Sequence, residues 1–464
     1  MSQPPTEISK AAARQFKPYP AYKPSGVEWL GDVPEHWGVK RLKYSSSIND
    51  EALPESTSPN YELAYVDIGN VDATSGIGKI EVMFFEGAPS RARRIVRDGD
   101  TIVSTVRTYL RAIVPIQIPL ANLIVSTGFA VVRPRTVAPR FLSYALRESG
   151  FVDTIVARSV GVSYPAVNAS EIGTIPIPLP SEIEQHDIAE FLDGKTAEVD
   201  ALVAKKQALI ENLKERRSAL IARTVTRGLP PEAARSAGFD PSPKLKPSGI
   251  EWLGDVPVHW EIKPIFRLAS EIQTGPFGSQ LHESDYVDGG IPLINPAHIV
   301  GGRIVPDNQS TVDEKTASRL SRHQLRTGDI IMGRRGEIGR CSVVTATEEG
   351  WLCGTGSLVI RLKDSDANFF ATLIGSAGFA GLLELNAVGT TMLNLSPSIV
   401  GRMQVPVPPM QEQHAISIFL VRQANYIDSM VTKVDEVIER LQEYRAALIA
   451  AAVTGKVDVR GTVA

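Results

Sequence analysis

The sequence predicts a duplicated mixed α/β (α+β) domain, each copy followed by a long helix, with the two helices packed on one another. Three observations carry this: a long internal repeat, the same order of short apolar runs inside each copy, and an apolar heptad stripe towards the end of each copy. The repeat opens with KPSGVEWLGDVPEHW (23–37), which returns as KPSGIEWLGDVPVHW (246–260), with thirteen of fifteen positions identical at an offset of 223. Further on the offset is 228. Thr127, Gly128 and Arg133 then match Thr355, Gly356 and Arg361; Val160-Gly161 matches Val388-Gly389, and EQHDIAEFL (184–192) matches EQHAISIFL (412–420). Repeats of a solenoid run about 20 to 50 residues, so this period is a domain duplication. The ends of the copies match closely and the roughly 150 residues between them barely resemble one another. Two domains share a frame and differ in what the frame holds.

Taken in chain order, residues 1–22 have no repeat counterpart and read as an N-terminal extension. The first domain, 23–180, contains the apolar runs LAYVDIGNV (63–71), TIVSTV (101–106) and FAVV (129–132), which are broken by Gly, Asn and Pro and read as strands. PIPLPSEIEQ (176–185) stops the strands and opens a helix over 181–228, with proline at the entrance and acids in the first turn. A Gly, Pro, Ser and Ala-rich linker follows at 229–245. The second domain, 246–408, repeats the order with IPLINPAHIV, DIIMG and SLVIRL, and PVPPMQEQ (406–413) opens the second helix, 409–457, before a tail at 458–464. In that helix Ile427, Val434, Leu441 and Leu448 are seven apart, with Met430/Val431 and Val437/Ile438 between them, an a/d stripe. The first helix keeps the register with Val199, Leu213 and Leu220, plus Leu202/Val203 and Leu209/Ile210, and has Lys206 where its twin has Val434. These are the expected interhelix packing residues.

The chain has 464 residues, enough for two to four domains, and its 43% hydrophobic and 22% charged residues are an ordinary globular composition. The start has no apolar run after its charges, so no secretory signal is read and the chain is expected in the cytoplasm. Residues 112–132 carry no charge for 21 positions, but Pro115, Gln117, Pro119 and Asn122 and a strand-like alternation argue against a membrane span. Cys341 and Cys353 are the only thiols and form no CxxC, which supports neither a disulfide framework nor a zinc site and predicts two half-buried core residues. No GxxxxGK[ST], no GxGxxG after a strand and no HExxH is present, so no metal or catalytic site is expected. Asn295-Pro296-Ala297-His298 has only part of the Asn-Pro-Pro-aromatic motif of adenine amino-methyltransferases and reads as a turn. His36 and His259, within the tryptophan motif, and His186 and His414, at the helix starts, read as structural.

Net charge is −3, which on its own disfavours a phosphate-binding role, but the charge is unevenly distributed. Residues 91–140 hold nine arginines (Arg91, Arg93, Arg94, Arg97, Arg107, Arg111, Arg133, Arg135, Arg140) against two acids, and 315–340 hold seven bases against Asp329 and Glu337. Each variable domain thus has one basic cluster, dominated by arginine, whose planar fork suits phosphates and guanine edges.

GVEWLGDVPEHW and GIEWLGDVPVHW, the PLPSEIEQ and PVPPMQEQ helix entries and the AALIAAAVTGKV ending (446–457) resemble the specificity (S) subunit of type I restriction-modification systems, and the resemblance covers residues 23–457. It implies two target-recognition domains, each reading one half of an interrupted double-stranded DNA site. It also implies that the two helices form an antiparallel coiled coil that acts as a ruler and docks two methyltransferase (M) subunits, with restriction (R) subunits joining that core. S-adenosylmethionine, Mg²⁺ and ATP would then sit on the partners and none on this chain.

Two like domains about a pseudo-twofold axis would meet DNA as a dimer does, with half-sites about 34 Å apart. A helix over 199–227 spans roughly 42 Å at 1.5 Å per residue, a comparable length. Because the domains differ, the site should be asymmetric. The expected DNA contacts are drawn from Arg91, Arg93, Arg94, Arg97, Arg107 and Arg111 in the first domain and Arg319, Arg322, Arg334, Arg335 and Arg340 in the second. Two alternatives stay open at this level: the specificity subunit of a related system with a fused methyltransferase-nuclease, and a coiled-coil adaptor that does not touch DNA.

Overall fold

The two tryptophan motifs fold as matching hairpins, Tyr22–Pro24 with Asp32–Pro34 and Leu245–Pro247 with Asp255–Pro257. The computed structural model describes residues 16–72, 76–161, 164–387 and 394–461; residues 1–15, the Val388-Gly389 pair of the repeat and the last residues of the tail lie outside the described residues. The chain divides into unit 1, Met1–Gln207 with Asp435–Ala464, and unit 2, Ala208–Val434. Each unit holds one variable domain and part of each long helix.

In unit 1 the strands Thr101–Ser104 (β1), Ile113–Pro115 (β2) and Phe129–Pro134 (β3) join Ser46–Ile48 in an antiparallel sheet of order β2, β1, β3, Ser46–Ile48. A second sheet contains Glu62–Val66 running parallel to Leu123–Ser126, with Ala92–Ile95 on its edge. β1 and β3 are sandwiched. Ile102 and Val131 face the cluster shared with the second sheet, whereas Val103, Ala130 and Val132 face the helices Pro139–Arg147 and Ser149–Arg158. Strands covered on both faces are apolar throughout instead of alternating, which is why these runs are visible in the sequence. The charge-free stretch 112–132 is accordingly three strands.

Unit 2 repeats the plan. Ile330–Gly333 (β4), Cys341–Val343 (β5) and Ser357–Leu362 (β6) form a sheet of order Ala269–Thr274, β6, β4, β5, and Tyr286–Ile294 runs parallel to Leu352–Cys353 in the second sheet. Cys341 and Cys353 are buried rather than half-buried, and burial pushes the Cys341 thiol up to about 12. Among the described residues no single helix is long and apolar enough to cross a membrane. The bent pair Ala367–Ile374 and Ala377–Asn386 is apolar because Phe369, Phe370, Leu373, Phe379 and Leu383 lie in the unit 2 core.

The proline runs differ from expectation. Pro176–Leu179 and Gln404–Val407 are themselves strands, paired with Gly38–Arg41 and Glu261–Pro264. Proline is tolerated there because each ladder has only two strands, so a residue without an N–H can face away from its partner. The helices follow directly: α1, Glu182–Arg227, and α2, Met410–Val453, of 46 and 44 residues. α1 therefore begins well before the heptad stripe at Val199. The linker also holds structure, a short helix Pro231–Ser236 with Ala234 buried. In the N-terminal extension Phe16 stacks edge-on against Phe191 at 5.1 Å and Tyr19 is buried.

Each helix entry is tied to its tryptophan motif in the same way. His36 Nε2 bonds Glu184 at 2.8 Å and Trp37 Nε1 donates to the same carboxylate at 3.3 Å; His259 and Trp260 do the same to Glu412 at 2.8 and 3.0 Å. Gln185 accepts from the Ala138 N–H and donates to the Pro180 carbonyl, and Gln413 repeats this with Asp366 and Pro408. His414 bonds Asp366 at 3.0 Å; at the twin position Ala138 offers no carboxylate and His186 is exposed.

The far end of each helix closes the other copy's tryptophan. In unit 1, Leu448, Ala452, Val453 and Val457 of the second helix region share the core with Trp37, and in unit 2 Val225 of α1 shares it with Trp260. Within unit 1 Asp200 pairs with Arg445 at 2.9 Å, and within unit 2 Asp428 pairs with Arg217 at 2.7 Å; both pairs set the helices antiparallel and are related by the repeat offset. Of the seven expected seam residues, Val199, Leu213, Ile427 and Leu448 are buried, and Leu220, Val434 and Leu441 are half-buried. Leu448 belongs to the unit 1 domain core and Leu220 packs on the unit 2 core, because the helix ends run onto the domains. In the paired positions Val203, Ile210 and Ile438 turn inward while Leu202, Leu209 and Val437 face out.

Candidate nucleic-acid interface

The sequence-predicted arginines fall on two elements of each unit. The first is the turn of a β-hairpin. β1 and β2 are closed by Ser104 N–H donating to the Ala112 carbonyl at 2.9 Å, and β4 and β5 by Gly333 N–H donating to the Arg340 carbonyl at 2.8 Å. Both turns are pinned identically to the sheet beside them. Thr105 N–H and Arg334 N–H donate to the carbonyls of Gly128 and Gly356 at 2.8 and 3.0 Å, and the Thr105 and Arg334 carbonyls accept from Val167 and Leu395 at 2.9 Å. These two glycines are the Thr-Gly positions of the repeat.

Between the pins the turns diverge. Arg107 and Arg111 are left-handed, with φ, ψ of 50°, 46° and 54°, 28°, and bracket a short 3₁₀ turn, Thr108–Leu110. The corresponding left-handed positions of unit 2 are Gly336 and Gly339, φ 75° and 87°, in a turn one residue shorter. A side chain in this region crowds the following carbonyl and costs roughly 1–2 kcal/mol per residue, which glycine avoids. Arg107 lies 5.2 Å over the ring of Tyr164, Arg111 pairs with Asp153 at 2.6 Å, and Tyr109, Leu110 and Tyr164 are all exposed. In unit 2 Arg334 Nε bonds Asn394 at 3.0 Å and Arg335 is exposed, while Arg340 pairs with Glu337. The exposed aromatic and aliphatic side chains beside these arginines are not singled out by the sequence reading. Their signal is the Tyr109-Leu110 pair set between two arginines.

The second element is the edge of the second sheet. Arg93 and Arg94 lie on Ala92–Ile95, flanked by Arg91 and Arg97. In unit 2 a single bridge, Gln324 to Leu352, stands where that strand pairs, with Arg319 and Arg322 beside it. Arg91 pairs with Asp67 at 2.6 Å, Arg97 with Glu51 at 2.6 Å and Arg319 with Asp285 at 3.0 Å, whereas Arg93 stacks 4.5 Å over Phe85 and Arg322 bonds Gln273 at 3.0 Å. Arg94 is half-buried, and burial pulls its pKa down; burial does the same to Arg334. Among the described residues Arg93, Arg94, Arg107, Arg322, Arg334 and Arg335 have no acidic partner.

The local charge surplus read from sequence is therefore smaller in three dimensions, because the partner acids lie elsewhere in the chain. Arg135 pairs with Asp50 and Arg140 with Asp193. Arg133 is structural: it forks onto buried Asp100 at 2.9 and 3.0 Å, and Arg361 forks onto buried Asp329 at 2.7 and 2.8 Å. Exposed ion pairs such as Arg97–Glu51 contribute about 0–1 kcal/mol, so their guanidiniums can be exchanged onto a phosphate; the Arg133 fork cannot. Asn295 caps the 3₁₀ turn Pro296–His298, so this segment is a turn as expected, and among the described residues no group of His, Cys, Asp and Glu could hold a metal ion.

The family model for the type I restriction modification DNA specificity domain matches residues 96–212 and 258–440, each match running from a variable domain into a long helix. The chain belongs to this family of specificity subunits. Among its relatives, the type I restriction enzyme EcoDI specificity subunit of Escherichia coli is 24% identical over 339 residues, covering 71% of this chain and 72% of the relative. The EcoKI specificity subunit of Escherichia coli K12 is 23% identical over 340 residues, 71% and 68% of the two chains. A chain solved in a study of complex assembly and conformational transition of the type I R-M system aligns with a TM-score of 0.65 at 22% identity, covering 91% of this chain and 98% of its own length. The HsdS subunit from Thermoanaerobacter tengcongensis aligns with a TM-score of 0.50 at 21% identity over the same shares. As a specificity subunit the chain is the non-catalytic, DNA-recognition component of a restriction-modification complex.

Proposed function

We propose that this chain recognises a bipartite, asymmetric DNA site, each variable domain reading one half, and that its paired helices dock two methyltransferase subunits, with restriction subunits joining the assembly. S-adenosylmethionine, Mg²⁺ and ATP are then held by those partners. The observation that carries the reading is the repeated hairpin turn: the same pins hold it in both units, while its arginines and exposed neighbours differ. A frame that keeps a loop in place and varies its side chains suits two readers of different sequences. Arginines without acidic partners, such as Arg93, Arg322, Arg334 and Arg335, supply attraction to phosphates, and contacts to base edges supply the sequence.

Methylation sequencing of a host carrying this chain with its methyltransferase tests the reading. Adenine methylation at an interrupted motif with unlike halves is expected, and a methylated, uninterrupted palindrome would sink it. A purified complex adds a second readout. Changing Arg334 and Arg335 to Ala should weaken DNA binding and make its salt dependence shallower, by about one unit of log–log slope for each phosphate no longer neutralised. Unchanged salt-sensitive binding would instead favour an adaptor that does not touch DNA.

A further inference from the structure

We propose that Arg107 and Arg111 are specificity-determining residues that read guanine in the first half-site from the major groove. The proposal rests on the DNA-binding reading above and deepens it by naming the residues and the base. It starts from the backbone. Both arginines sit in the left-handed region, and at the equivalent positions of unit 2 the chain uses Gly336 and Gly339. Had the turn needed only its backbone path, glycine would hold it with less strain, as unit 2 demonstrates. What arginine adds at these two positions is its side chain, and strain of this kind persists where the surroundings over-determine it.

The surroundings do so here. Arg107 N–H donates to the Pro165 carbonyl at 2.8 Å, Thr108 Oγ1 bonds Ser159 Oγ at 2.7 Å, and Ser104 Oγ donates to the Val106 carbonyl at 2.6 Å. The backbone is fixed on several sides while the side chains are presented outward. Neither guanidinium serves the core. Arg107 rests on the exposed Tyr164 ring, and Arg111 pairs with an Asp153 that is itself 60% exposed. Both interactions orient the arginine and can be surrendered to a ligand. A hairpin turn fits the major groove, and guanine presents O6 and N7 there as two acceptors matched to the guanidinium fork. Lysine, a point charge, serves a phosphate as well but cannot reproduce the fork.

The test is methylation mapping in a host carrying the chain and its methyltransferase, comparing the unaltered protein with R107K, R111K, R107G and R111G. Each variant is expected to lose preference for one guanine by about 5- to 150-fold, in one half-site only, with the other half-site unchanged. The glycine variants should melt at or above the unaltered chain's midpoint. Full guanine preference in both lysine variants would overturn the proposal by reducing the arginines to phosphate contacts, as would relaxation in both half-sites. Glycine variants that melt lower would overturn it by assigning the arginines a structural role. Absence of bipartite methylation by the unaltered chain would instead remove the parent reading, and this one with it.

Discussion

The hairpin turns of the two units and the arginine–aspartate forks beneath them behave oppositely under duplication. The forks are the same: Arg133 on Asp100 and Arg361 on Asp329, each acid almost wholly buried. The turns a few residues away have different lengths and different residues at their left-handed positions, arginine in one and glycine in the other. A buried charge tolerates no change of partner, since removing one side leaves the other unsatisfied in a medium of low dielectric. An exposed turn pinned at its base tolerates a change of side chain, at a cost of roughly 1–2 kcal/mol where a residue other than glycine takes a left-handed position. Divergence has therefore collected where the fold does not constrain it, which is also where a ligand can reach.

Three measurements break or sharpen this comparison. The largest effect is expected from R133A and R361A, each of which strands a buried carboxylate and should cost about 3–5 kcal/mol in its own unit by urea unfolding. Clearly unequal losses would mean that the frame is less alike than its geometry.

The next separates the helix ends. Gly455, φ 72°, would place a Cβ 2.3 Å from Pro34 Cδ, whereas Gly228, φ 85°, meets its nearest atom, a Glu412 carboxylate oxygen, at 3.2 Å. Both carry the left-handed penalty of roughly 1–2 kcal/mol on substitution by alanine, and only Gly455→Ala adds an overlap with a ring. G455A should lower the melting midpoint distinctly more than G228A, and equal shifts would contradict the closer packing of the second helix end.

The smallest effect concerns pH. Burial alone would raise the Glu184 carboxyl, but bonds from His36, Ser181 and Trp37 together hold it below its ordinary value. A carboxyl depressed in the folded state contributes stability that is present above the unfolded value, about 4.3, and lost as pH falls through the lower folded value. Unit 1 should therefore lose stability below about pH 4.3, and E184Q should flatten that part of the profile. Ser181 and Glu184 form a reciprocal capping box, Glu184 N–H donating to Ser181 Oγ at 3.4 Å and Ser181 N–H donating to Glu184 Oε2 at 3.2 Å, while α2 has Pro409 at the Ser181 position, so the two helix entries are not chemically equivalent.

Much of the frame is legible in the order of residues alone. The tryptophan motifs, the EQH entries and the strands TIVS and FAVV are where expected because duplication displays them twice and burial on both faces writes them as unbroken apolar runs. The proline runs read as breakers in sequence and are strands in the fold, because an edge position admits a residue that cannot donate. Spacing does not resolve the heptad pairs: Leu209 and Ile210 are equally apolar, and only the helix rotation fixed by the antiparallel partner turns Ile210 in and Leu209 out. The arginine clusters are visible as composition, but their availability is not.

By itself the sequence determined the duplication, the order of elements and the family, because these are patterns of residue type and spacing along one chain. Tertiary structure alone decided which arginines are already neutralised, since Glu51, Asp67 and Asp153 reach Arg97, Arg91 and Arg111 from 24 to 46 residues away. It also decided that Arg107 and Arg111 are held left-handed, a property of backbone angles imposed by bonds to Gly128, Ser159 and Pro165. Charge and conformation at a surface turn depend on what folds back against it, and that information is distributed over the whole domain.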